Sequence, residues 1–71
     1  MTKAIIGTNA GIVYQLLCDR VHWSYESLKN ASHLTDRELC AALGWLARED
    51  KIEYEPTPEG FKVYLSDCFY F

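Results

Sequence analysis

The sequence predicts an α+β fold, three helices followed by a two-stranded antiparallel hairpin, and three observations predict it. Apolar residues keep a helical spacing from about residue 8 to residue 49 and then switch at Ile52 to strict alternation, the period of a strand. Thr35-Asp36-Arg37-Glu38 is a Thr-x-x-Glu capping box, in which two side chains satisfy each other's free backbone N–H groups at a helix start. The chain has 71 residues, 49% of them hydrophobic and 14% aromatic, enough for one core without disulfides; residues 1–71 therefore read as a single domain.

The first helix is expected from Thr8 to about Val21, with Thr8 or Asn9 as its cap. Ile12, Val13, Leu16, Leu17 and Val21 recur at spacings that make one apolar stripe, and Gly11 offers a place for close packing of a neighbouring element. His22-Trp23 breaks the pattern, and Ser24 is placed to cap a second, two-turn helix over residues 25–31 with Tyr25 and Leu28 inward. After the connector Ser32-His33-Leu34, the third helix starts at Thr35 or Asp36. It turns Leu39, Ala42, Leu43 and Leu46 to the core and ends near Arg48 or Glu49, where Asp50-Lys51 turns the chain. In the hairpin, Ile52 and Tyr54 alternate with Glu53 and Glu55, and Phe61, Val63 and Leu65 alternate with Lys62 and Tyr64. Pro56, Pro58 and Gly60 are expected in the connecting loop, where prolines remove no ladder donor and glycine can take a positive φ.

Charge and cysteine content exclude several classes. A formal net charge of -3 argues against a molecule held to its partners by a broad basic field, so any contact with nucleic acid has to be local. Cys18, Cys40 and Cys68 are odd in number and unpaired in spacing, which is neither a disulfide framework nor a zinc knuckle and suits a reducing cytoplasm. The apolar start is too short for a signal-peptide core, and no run approaches the ~20 residues that cross a bilayer, so no membrane partner is expected.

Helix, short helix, tight turn, longer helix and hairpin is the order of a winged helix-turn-helix, and Trp23 sits where such folds place a short first strand. The run Leu34-Thr35-Asp36-Arg37-Glu38-Leu39, leading into Ala42-Leu43-Gly44-Trp45-Leu46-Ala47-Arg48-Glu49, resembles a largely uncharacterised bacterial family of small stand-alone winged helix-turn-helix proteins. The likeness runs from about Ile6 to Leu65 and implies the fold and a DNA-binding ancestry, with no activity attached. On that scaffold Lys29, Arg37 and Arg48 are the candidates for contact with double-stranded DNA and Lys62 the candidate on the wing, in a chain that would regulate transcription. Against this, residues 35–50 hold Arg37 and Arg48 against Asp36, Glu38, Glu49 and Asp50, and the hairpin holds Glu53, Glu55 and Glu59 near Lys51 and Lys62.

A second function class therefore stays open, a protein-interaction or homodimerising module. Its candidates are Trp45 with the small neighbours Ala41 and Gly44, and the aromatic run Phe69-Tyr70-Phe71. The bland alternatives are a Trp45 pinned beneath the hairpin and a tail packed across the first helix. Cys18 and His22, four apart, could share a helix face and gather Cys40, Cys68 or His33 around a metal, but that spacing equally describes small buried thiols, and neither metal nor cofactor is expected. Glu49, Asp50, Glu53 and Glu55 read as a solvated face. With no phosphate loop, nucleophile elbow or paired-cysteine motif, the chain is not expected to be an enzyme.

Overall fold

The computed structural model describes residues 2–19 and 22–66. Helix α1 (Lys3–Asp19) leads into a two-residue strand β1 (Trp23–Ser24), then α2 (Tyr25–Ser32), α3 (Asp36–Arg48) and the strands β2 (Ile52–Thr57) and β3 (Gly60–Leu65). The three strands form an antiparallel sheet in the order β1-β3-β2, with Trp23 opposite Val63 and Ile52 opposite Leu65. This is the α+β, three-helix and hairpin architecture expected, including the short first strand at Trp23.

Residues from every element meet in one core. Val13 and Leu17 of α1, Leu28 of α2, and Leu39, Ala42, Leu43 and Leu46 of α3 close over Trp23, Ile52 and Val63 of the sheet. The helix ends are built locally. Ser24 caps α2 by accepting from the Ser27 N–H at 3.1 Å. At α3 both halves of the capping box are made: Thr35 Oγ1 accepts from Glu38 N–H at 3.2 Å, and Glu38 Oε1 accepts from Thr35 N–H at 2.9 Å. The other end of α3 closes as a Schellman turn. Asp50, at φ 59°, donates its N–H to Ala47, and Lys51 donates to Leu46.

Several expectations need correction. The first helix begins at Lys3, five residues before Thr8, because Thr2 does the capping: its Oγ1 accepts the Ile5 N–H at 3.2 Å. Thr8 instead donates its hydroxyl to the Ala4 carbonyl one turn back, and Asn9 is buried. α1 is described to Asp19; residues 20 and 21, and with them the expected end near Val21, lie outside the described residues, and His22 is not helical. Ile12 points away from the core, 42% exposed, because the buried stripe runs through Asn9, Ala10, Val13 and Leu17 and the 100° step of the helix carries residue 12 off it. Nothing packs closely on Gly11.

In the hairpin, Pro56 lies within β2, opposite Phe61, rather than in the loop. β2 is an edge strand of the sheet, where a missing outward N–H breaks no ladder. The turn shrinks to Pro58-Glu59, closed by Gly60 at φ +147°, a conformation suited to glycine. Tyr54 shares the apolar face but is 44% exposed, because the core ends at Ile52 on this edge strand; its ring meets Phe61 edge-on at 5.2 Å.

Candidate nucleic-acid interface

The character of α3 follows from where its four core residues point. Leu39, Ala42, Leu43 and Leu46 are buried, so the opposite side, Arg37, Ala41, Gly44 and Arg48, faces outward by the 100° step of the helix. Arg37 and Arg48 are exposed, lie eleven residues or about 16 Å apart along the axis, and bracket the small Ala41 and Gly44. Neither arginine makes an ion pair among the described residues.

Two of the four acids that outnumber these arginines in sequence are turned to other uses. Glu38 is held at the helix start by the Thr35 N–H. Asp36 accepts the Tyr25 hydroxyl at 2.7 Å and lies 3.6 Å from Lys29 Nζ. Donation by Tyr25 is the main reason that the Asp36 carboxyl sits below its ordinary value, against a small desolvation cost and with help from Lys29. The same bond to Asp36, then partial burial and the nearby Cys40, lifts the Tyr25 phenol far above its ordinary value. Glu49 and Asp50 fall at the C-terminal turn with exposed side chains; there the Asp50 backbone N–H, not its carboxylate, closes the helix on Ala47.

The four basic candidates are thus not equivalent. Lys29 reaches the N-terminal end of α3 but is tethered to Asp36 beside Arg37. Lys62 lies on β3, in register with Ser24 and Glu55, and lines a cleft of roughly 490 Å³ with Tyr25, Glu26 and Phe61. Glu55, its cross-strand neighbour, pairs instead with His22 at 3.4 Å. The wing surface therefore keeps Glu53 and Glu59 exposed.

Trp45 is not pinned beneath the hairpin. It is 40% exposed and lines a groove of roughly 280 Å³ between α1 and α3 with Gly7, Gly11, Tyr14, Gln15 and Lys51. Phe69, Tyr70 and Phe71 lie outside the described residues. So does Cys68; Cys18 and Cys40 are exposed free thiols, and among the described residues no three His, Cys, Asp or Glu side chains gather to hold a metal. No helix among them is long and apolar enough to cross a membrane. Sequence reasoning missed Tyr25 and Asp36 as a pair, because eleven residues separate them and only the folded chain brings them together.

With this geometry in view, the comparison with known families is decisive for the fold. The model of a winged helix-turn-helix domain family, DUF2582, matches residues 1–65. The chain belongs to that family. Like this DUF2582 chain in fold is protein BT2368 from Bacteroides thetaiotaomicron, known from a solution NMR structure. The two are 33% identical with a TM-score of 0.84, over all of this chain and 89% of that one. Among proteins of curated function, none matches.

Proposed function

We propose that this DUF2582 chain is a non-enzymatic DNA-binding protein of the cytoplasm that takes part in transcription regulation, with α3 entering the major groove. One observation supports it above the others: both acids in the first turn of α3 are engaged, Glu38 in its own capping box and Asp36 by Tyr25 and Lys29, while Arg37 and Arg48 on the outward side make no ion pair among the described residues. Two arginines about three helical turns apart can each meet a phosphate or a guanine edge, while Ala41 and Gly44 allow the helix to approach the bases closely. Lys29 adds a third contact once phosphate competes with Asp36 for it, and Lys62 a weaker one from the wing. With so few contacts, binding is dominated by the backbone and falls steeply with salt.

The test is an anisotropy or mobility-shift titration with pooled genomic duplexes at low salt. Arg37→Ala and Arg48→Ala should each weaken binding by about ten-fold and lower the salt slope by about one. Absence of any complex at high micromolar protein would sink the reading. A protein-docking role is favoured by a separate observation, the exposed indole of Trp45 in its groove with Gly44 and Ala41 close by on α3; concentration-dependent sedimentation distinguishes it from a monomeric DNA binder.

A further inference from the structure

The cleft of roughly 490 Å³ between the first turn of α2 and the β2–β3 turn falls in the size range of small-molecule sites. Its walls are mainly apolar, and two rings make most of them. The Tyr25 ring is anchored, because its hydroxyl donates to Asp36 at 2.7 Å. Phe61 meets Tyr25 edge-on at 6.0 Å and Tyr54 at 5.2 Å, so it is braced by both. The apolar wall is therefore formed before any ligand arrives, which removes an ordering cost from binding.

Three charged side chains line the same cleft: Glu26 from α2, Glu59 from the turn and Lys62 from β3. All three are exposed, and their side chains make no ion pair or hydrogen bond among the described residues. Register offers Lys62 a partner in Glu55, its cross-strand neighbour, but that carboxylate lies 3.4 Å from His22 instead. The cleft thus holds unpaired charges of both signs around an aromatic wall.

That composition selects by charge. A ligand with a positive group alone is opposed by Lys62, one with a negative group alone by Glu26 and Glu59, and a neutral one answers none of the three. A zwitterion on an apolar body answers them all. We infer that the cleft binds a free apolar α-amino acid, its ammonium held by Glu26 and Glu59, its carboxylate by Lys62 and its side chain against Tyr25 and Phe61. Both ends then make charge-assisted hydrogen bonds, and the side chain covers ring surface otherwise left to water. The inference does not rest on DNA binding: of the contacts assigned to DNA above, only Lys62 belongs to the cleft.

The experiment is an amide NMR titration of the full chain with L-phenylalanine. Phenethylamine, which lacks the carboxylate, and hydrocinnamate, which lacks the ammonium, are titrated beside it. Saturable shifts are expected at residues 24–26 and 57–62, and each of the two simpler compounds should bind at least about five-fold more weakly. Lys62→Met should abolish the preference for phenylalanine over phenethylamine, and Glu26→Gln with Glu59→Gln the preference over hydrocinnamate. Because these side chains are exposed and unpaired, the variants should keep the native spectrum elsewhere. Shifts still linear at about 10 mM phenylalanine would overturn the inference. So would shifts centred outside the cleft, or binding by either simpler compound as tight as by phenylalanine.

Discussion

The third helix and the hairpin carry acidic sequence alike, yet they present different surfaces. In the first turn of α3 the carboxylates have somewhere to go. The helix N-terminus offers free N–H groups and a positive dipole end, so Glu38 folds back onto the Thr35 N–H, and Asp36, also in the first turn, is drawn to Tyr25 and Lys29. In the hairpin no helix start gathers free donors at one end, and side chains alternate to opposite faces, so Glu53 and Glu59 remain in solvent and, of the three, Glu55 alone has an ion-pair partner among the described residues, in His22. A segment's net charge is therefore a poor guide to the sign of its outward face. What decides is whether local structure supplies donors that turn acids aside.

The largest effect that would sharpen this contrast is expected from the hairpin. Glu53→Lys with Glu59→Lys gives the wing the cations that it lacks; two new phosphate contacts should tighten binding about ten-fold at low salt and steepen the salt slope by about two. If titration of this variant shows no gain, the hairpin does not approach the duplex. Next is the capping box. Thr35→Ala removes the acceptor for Glu38 N–H and should cost about 1 kcal/mol in a urea unfolding experiment. Glu38→Gln keeps both hydrogen bonds in kind and should leave stability nearly unchanged, while DNA binding rises slightly. Equal losses in the two variants would mean that the charge of Glu38, not its geometry, holds the helix start.

Legibility from sequence follows the same division between local and distant. The capping box and Ser24 could be read because their partners lie three residues away, and the change of period at Ile52 because it belongs to the residues themselves. The start of α1 could not. Thr2, Thr8 and Asn9 are all capable caps, and only the burial of Asn9 beside Ala10 and Val13 shows that the helix has already begun. Pro56 could be misplaced because a proline is excluded from an inner strand but not from an edge, and strand order is a tertiary fact. For the candidate site, the arginines were readable as residue types. That their neighbouring acids are occupied was not, since Tyr25 and Asp36 share no periodicity.

The smallest effect tests the Asp36 arrangement through pH. Asp36 titrates below its ordinary value in the folded chain, first because Tyr25 donates to it and then, after a small opposing desolvation, because of Lys29. A depressed carboxyl adds stability that is present above its unfolded pKa and is lost as pH falls through the folded one. Urea midpoints should therefore drop on the acid side, and Asp36→Asn should flatten that limb. Tyr25 behaves in the opposite sense: its phenol is raised, so its contribution is intact below the unfolded tyrosine value and is lost as pH climbs beyond it. Tyr25→Phe should flatten both limbs at once, a coupling that no independent pair of groups would give. If Tyr25→Phe alters the alkaline limb alone, Asp36 is held by Lys29 rather than by the phenol. The first turn of α3 would then lose a cation as well as an acid from its surface, and the contrast with the hairpin would rest on Glu38 by itself.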